Sequence, residues 1–452
     1  MMKDNKKIYT LKCKDISVCD IKMEDNKISE IIHIYNKKYA PVESYIFGDI
    51  NLNRLNDWLS SRAMPIERDG FDTISSELNI KNNKEYLIDN LALSVSDQYW
   101  LKPYSMDINW KEINLFDNSF NAIEFSNATF GKDNSVSDSL NRIYLNTNYF
   151  VNHNATSEKV HYINHTFDNN YFEIRNFVTP NASLGGVLKK VWIQKECENY
   201  MLKGSNSIHN LEPINEVLAS KIAKILELES VEYSLAKIQG KRTNQLVSVC
   251  KDIVDSSEHI VSAYSLVLGY PEAQIKDYPS YIELLENELN ISNANVDIQK
   301  MLILDYIMLN EDRHLNNFGV IRDTDTLEWK RVCPVYDTGR SMNTAINEDY
   351  WDFENDEIKS FEGEMVNTDY LMNLIKLPVK RETLILLKGL KQWYGETLTE
   401  YQDILKLKDT TIQKITDGYA KRIDVFEKEM SDKQLIIDVE DELDDDIEAG
   451  LS

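Results

Sequence analysis

The chain has 452 residues, with 50 Lys and Arg against 75 Asp and Glu and a formal net charge of −25 at pH 7. Phosphate backbones are gripped largely by Lys and Arg, so this acid excess argues against nucleic-acid binding as the main work, and no direct nucleic-acid contact is expected. Apolar residues make up 42% of the chain with only 15 Gly and 9 Pro, a composition of globular domains rather than linker, at a length that suggests two or three of them.

From Tyr9 to about Ala155, short alternating runs such as Ile28–Tyr35 mix with Asn-rich connections and amphipathic pieces such as Leu52–Leu59, which predicts a mixed α/β domain of unknown role. The stretch Asn148–Asn170 reads as its boundary, so residues 1–169 form the first expected domain. Phe172–Val178, Val187–Ile193 and Asn199–Lys203 then read as strands, the first two joined by the turn cluster Thr179–Gly186. Pro213 opens a helix over Asn215–Leu228, and Val231–Ile238 and Gln245–Cys250 read as two more strands. Residues 170–253 are thus a strand-rich piece. Beyond it helices dominate 254–436: Tyr281–Leu289, Val296–Leu309, Thr383–Trp393 and one long helix from about Thr397 to Met430. The end, 437–452, holds the acidic run Asp438–Glu448 and reads as a solvated, disordered tail.

The longest apolar run, Met301–Leu309, is interrupted by Asp305 and falls short of the roughly 18 residues a membrane span needs. The first residues lack the apolar core of a signal peptide. A cytoplasmic protein without membrane contact is expected. Five cysteines, Cys13, Cys19, Cys197, Cys250 and Cys333, form no C-x-x-C pair and are expected to be reduced.

The densest chemical signal is N-E-D-R-H-L-N-N-F-G over Asn310–Gly319, followed by V-Y-D-T-G over Val335–Gly339. Asp312 and Asn317 are five apart, the separation of base and metal-ligand Asn in the kinase catalytic loop, and Asp337 follows in a D-x-G setting. Phosphoryl transfer needs this division: one carboxylate takes the hydroxyl proton, while an amide oxygen and a second carboxylate hold Mg²⁺ against the phosphates of ATP. The plainer reading is a loop salt bridge between Asp312 and Arg313 and a simple turn at Asp337. Upstream, Gly185 and Gly186 lie in a turn where backbone N–H groups can approach phosphates, although Gly-Gly is also ordinary hairpin chemistry. Lys203 ends an apolar strand and Glu216 sits on the next helix, the order of the kinase lysine and glutamate pair. His314 is expected to brace the loop by hydrogen bonding.

Together these segments, with Ser183–Lys190, Tyr200–Gly204 and Glu212–Glu216, resemble the HipA-like serine/threonine kinases over about Asn170 to Met430. The resemblance implies an α+β, bilobal protein-kinase-like fold with a strand-rich small lobe and a helical large lobe, here with an additional N-terminal domain. It implies an ATP-dependent protein kinase that transfers the γ-phosphate to a protein hydroxyl, with an antitoxin protein as partner. On it, Asp312 matches the catalytic base, Asn317 and Asp337 the Mg²⁺ ligands, Lys203 the ATP lysine, and Ser183 a phosphate-loop serine whose autophosphorylation switches the kinase off. The Leu-Gly-Gly turn departs from the family's usual Ala-Gly, and the N-terminal domain does not map onto the family's short one.

Two other readings compete. D-T-G is also an aspartic-protease signature, but that mechanism needs two carboxylates sharing a proton, no second D-T-G or D-S-G occurs, and position 340 is Arg. A catalytically inactive kinase-fold module acting through its N-terminal domain is the other. His161 and His165 have helical metal-pair spacing in a strand-like setting and read as surface or core histidines.

Overall fold

The computed structural model describes residues 7–120, 122–130, 144–145, 178–195, 198–239, 244–344, 346–354 and 357–438. The boundary at Asn148–Asn170, the His161 and His165 pair, Cys197, the strand expected at Phe172–Val178 except its last residue, and the acidic run after Asp438 lie outside these. The chain forms two compact units, one of Met1–Asn206, Ala236–Gln274 and Val320–Lys330, the other of Ser207–Leu235, Ile275–Gly319 and Arg331–Ser452. The fold class is α+β, as expected.

The first unit opens with β1 (Lys7–Cys13), β2 (Ile16–Glu24) and β3 (Lys27–Ile34), which join β4 (Tyr99–Pro103) in an antiparallel sheet ordered β3-β2-β1-β4. The turn between β2 and β3 is Asp25-Asn26, both at positive φ (50° and 60°), the geometry a two-residue hairpin requires and Asn and Asp tolerate. Tyr9, Leu11 and Cys13 alternate inward on β1 and pack with Leu55, Trp58 and Leu59 of α1 (Leu52–Ser61). Asn51 caps that helix, its Oδ1 accepting from the Asn53 and Arg54 N–H groups at 3.0 and 3.2 Å.

A second sheet runs Tyr144–Leu145, β7, β8, β6, β5, with β5 at Lys190–Lys195, β6 at Glu198–Lys203, β7 at Ser234–Gln239 and β8 at Asn244–Lys251. Its core is shared with earlier residues: Met64, Ile74 and Phe125 pack with Val191, Tyr200, Leu202 and Val247, and Leu93, Trp100 and Trp110 pack with Leu184 and Trp192. Described residues before and after the expected boundary thus share the core of the first unit. A third sheet is ordered β9 (Glu258–Ser262), β10 (Gly319–Asp323), β11 (Trp329–Val332).

The second unit is helical. Its helix α2 (Glu212–Ile225) starts with Pro213 in the first turn, where the missing N–H costs nothing. The central α3 (Ala294–Met308) buries Met301 to Met308 on every side, which is why that stretch reads as an apolar run broken only by Asp305. A short hairpin of β12 (Glu357–Lys359) and β13 (Met365–Asn367) follows. The helix expected at Thr383–Trp393 runs on to Glu400 as α4 (Arg381–Glu400), and the long helix expected from Thr397 to Met430 is broken there, with a short helical turn at Gln402–Leu405 before α5 (Asp409–Asp432). Between them Leu405 and Leu407 are buried and Lys406 takes a left-handed φ of 57°. That reversal lets α4 and α5 face each other, with the Tyr394 and Tyr419 rings edge to face at 6.0 Å. Among the described residues no helix is long and apolar enough to cross a membrane.

Candidate functional site

The helix α3 ends with Leu309 at φ 49°, and this left-handed residue turns the chain into the loop that carries Asp312 and Asn317. Beneath the loop lies Arg313, 1% exposed. It does not pair with Asp312. Its Nε and Nη2 donate to the two oxygens of Asp305 at 2.8 and 2.9 Å, and Asn310 adds a third hydrogen bond to Asp305 at 2.8 Å. Burial alone would lower the Arg313 pKa, but the Asp305 carboxylate outweighs it and holds the guanidinium charged.

The same side chain joins the two motifs. Arg313 Nη1 donates to the Asn317 and Tyr336 carbonyls, both at 2.8 Å, and Nη2 to Thr338 Oγ1 at 2.9 Å. The D-R-H-x-x-N loop and the D-T-G turn are thus bound to one buried cation within one unit. Asn317 donates its Nδ2 to the Asp312 carbonyl at 2.8 Å, which leaves the amide oxygen, the atom a divalent cation prefers, on the other side of the group. Asp337 has φ 56°, a conformation that costs a non-glycine residue about 1–3 kcal/mol and is typical of functional turns. Glu216 is 2% exposed and its Oε2 accepts the Thr338 N–H at 3.0 Å. Gly339 is required by close approach, since a Cβ there would fall 2.8 Å from the Glu212 carbonyl and 3.0 Å from Glu216 Cγ. Asn215 fastens the turn further, donating to the Gly339 and Ser341 carbonyls at 3.2 and 2.8 Å.

The Asp312 carboxylate, half-buried, receives Lys359 Nζ from β12 at 2.8 Å. His314 accepts the Asn316 N–H on Nδ1 at 3.2 Å, the expected bracing, and burial lowers its pKa so the ring is neutral at pH 7.

In the first unit, the predicted phosphate-loop residues occupy one turn. Thr179 caps a 3₁₀ turn over Pro180–Ser183, Ser183 donates its Oγ to the Pro180 carbonyl at 3.1 Å, and Gly185 and Gly186 follow. A Cβ on Gly185 would meet nothing within 4 Å, so the turn is open on that side. Lys203, 2% exposed, stands directly opposite Lys190 in the β5 and β6 ladder. An open glycine turn with Lys190 beside it and Lys203 across the ladder from Lys190, and in the second unit an amide oxygen and a carboxylate carried on tethered loops, are donor sets that fit a nucleotide's phosphates and Mg²⁺ respectively.

Sequence reasoning did not single out Arg68, Asn215, Asp305 or Lys359 as parts of the site. Asp305 left a visible signal, an acid inside an otherwise apolar helix. Lys359 and Arg68 left none, because their partners are 47 and more than 100 residues away.

A family model for the HipA-like C-terminal domain matches residues 182–373. No curated protein matches the chain. Among solved structures, the Helicobacter pylori proinflammatory kinase CtkA is 17% identical, over 54% of this chain and 95% of that one, with a TM-score of 0.40. The Shewanella oneidensis MR-1 HipA, solved with HipB and its operator DNA, is 12% identical over 92% of this chain and 96% of that one, with a TM-score of 0.49. The matched span contains both loops gathered by Arg313, the glycine turn, Lys203 and Glu216, and it is over these residues, 182–373, that the chain is similar to the HipA-like C-terminal domain.

Proposed function

We propose that the protein is a HipA-like, ATP-dependent serine/threonine protein kinase. The observation that carries this reading is the buried Arg313 and its hydrogen bonds to both the Asp312–Asn317 loop and the Tyr336–Thr338 turn, inside the span that matches the HipA-like domain. Asp312 would accept the proton of a protein hydroxyl, and Lys359 beside it would supply positive charge near the group in transfer. Asn317 and Asp337 would hold Mg²⁺, which neutralises phosphate charge when bound. Lys203 and the Gly185-Gly186 turn would receive the phosphates, and Glu216 would orient the D-T-G turn through the Thr338 N–H. Ser183 is the candidate for self-modification, since a phosphate on that turn adds negative charge where the nucleotide's own would lie. An antitoxin-type protein is the partner this reading implies.

Calorimetric titration tests it. The wild type should bind ATP more tightly with Mg²⁺ than without, and Asp337→Ala should lose that gain. An ATP affinity indifferent to Mg²⁺ in both proteins would defeat the reading and favour the inactive module.

A further inference from the structure

Three successive carbonyls of the glycine turn converge on one side chain from far upstream. Arg68 donates from Nη2 to the Leu184 and Gly185 carbonyls, the latter at 2.8 Å, and from Nε to the Gly186 carbonyl at 3.2 Å. In a trans peptide, the C=O of one residue and the N–H of the next lie in one plane and point in opposite directions. The grip therefore turns the N–H groups of Gly185, Gly186 and Val187 away from the guanidinium. Among the described residues none is seen to accept from these three N–H groups. With Gly186 at φ 81°, consecutive N–H groups on one side of a turn make a concave anion receptor.

A second observation points the same way. Arg68 is 2% exposed, and its Nη1 is buried without a hydrogen-bond partner, an arrangement that is costly unless something compensates it. Burial pushes its pKa down to about 10, so it stays cationic at neutral pH. Lys190 adds charge at the same place, its Nζ lying 2.8 Å from where a Cβ on Gly186 would be. The residues around Arg68 hold both ends of the turn: Met64 N–H donates to the Ala182 carbonyl at 3.2 Å, and Asp69 N–H to the Val187 carbonyl at 2.8 Å.

The geometry points to Arg68 as the positioning residue of the phosphate cradle, a side chain from the N-terminal segment that holds three carbonyls back so that three amides receive the nucleotide's phosphate groups. This rests on the nucleotide reading above and extends it: the N-terminal segment is part of nucleotide recognition. Arg68 need not touch the nucleotide. A lysine could not replace it, because only the planar fork reaches three carbonyls at once.

The test compares ATP, AMP and adenosine on the wild type, Arg68→Lys and Arg68→Gln, all with Mg²⁺. ATP affinity should fall about tenfold or more in Arg68→Gln and less in Arg68→Lys, as loss of organised hydrogen bonds to charged phosphate implies. Adenosine affinity should stay within about twofold, which a general loosening of the fold would not allow. Hydrogen exchange on the wild type gives a readout free of folding defects: Mg-ATP should slow the Gly185, Gly186 and Val187 amides, and adenosine should not. Equal ATP affinity in wild type and both variants, or no phosphate-specific slowing at these amides, overturns the positioning role alone. A wild type that takes no ATP overturns the nucleotide reading and this inference together.

Discussion

Asp305→Asn isolates the buried ion pair under the two loops. The carboxylate receives Arg313 Nε at 2.8 Å, Arg313 Nη2 at 2.9 Å and Asn310 Nδ2 at 2.8 Å, and both partners are 1% exposed, so water cannot take over. Removing one member of a buried pair leaves the other as an uncompensated charge and costs about 3–5 kcal/mol. Asn keeps one acceptor oxygen, which places the expected loss near the low end, about 3 kcal/mol. At about 2–4 °C per kcal/mol for domains of 150–250 residues, the melting temperature should drop by roughly 6–12 °C. Differential scanning calorimetry and urea unfolding at pH 7 measure it. The double variant Asp305→Leu with Arg313→Met removes the buried charge but leaves the Asn317 and Tyr336 carbonyls and the Asn310 amide without their partners, so it should recover only part of the stability, and it should not recover phosphate transfer, because nothing then joins Asn317, Tyr336 and Thr338. Loss of less than about 1 kcal/mol in Asp305→Asn would show that the pair does not organise this centre.

Lys359→Met should change stability by less than about 1 kcal/mol, because its pair with Asp312 is partly exposed, while slowing phosphate transfer about tenfold or more in steady-state kinetics. Gly339→Ala should cost about 1–3 kcal/mol and weaken transfer, as its Cβ displaces Glu212 or Glu216; unchanged thermal unfolding would contradict this. His259 is buried against the Tyr99 ring at 5.4 Å, and burial pushes its pKa down to about 4. The folded state keeps it neutral while the unfolded chain takes up a proton below about pH 6.5, so stability should be full above that pH and fall by about 3 kcal/mol as pH drops to about 4. His259→Phe should flatten this slope in denaturant titrations across pH 4–7.

What was legible in the sequence was contiguous. The Asp312–Asn317 loop and the D-T-G turn could be read because each packs its chemistry into a few neighbouring residues, and the helix ahead of the loop announced itself by apolar side chains on every face. The strands β5 to β8 were legible from short apolar runs, to within a few residues at their ends. The break between α4 and α5 was not, because Leu405 and Leu407 continue a pattern that either a helix or a buried turn satisfies, and only tertiary packing decides. The salt bridge imagined between Asp312 and Arg313 failed for a related reason. Sequence neighbours on a tight loop diverge, and each found a partner elsewhere, Asp305 for the arginine and Lys359 for the aspartate. Arg68 shows the limit most clearly, since its role depends on three carbonyls more than a hundred residues away.

The most direct measurement is single-turnover phosphate transfer to the chain itself or to co-expressed protein, followed by intact mass, on the wild type and Asp312→Asn with ATP affinity recorded for both. The account predicts that the wild type yields phosphorylated protein, that Asp312→Asn yields none, and that the two bind Mg-ATP alike. Transfer by Asp312→Asn at the wild-type rate would contradict it.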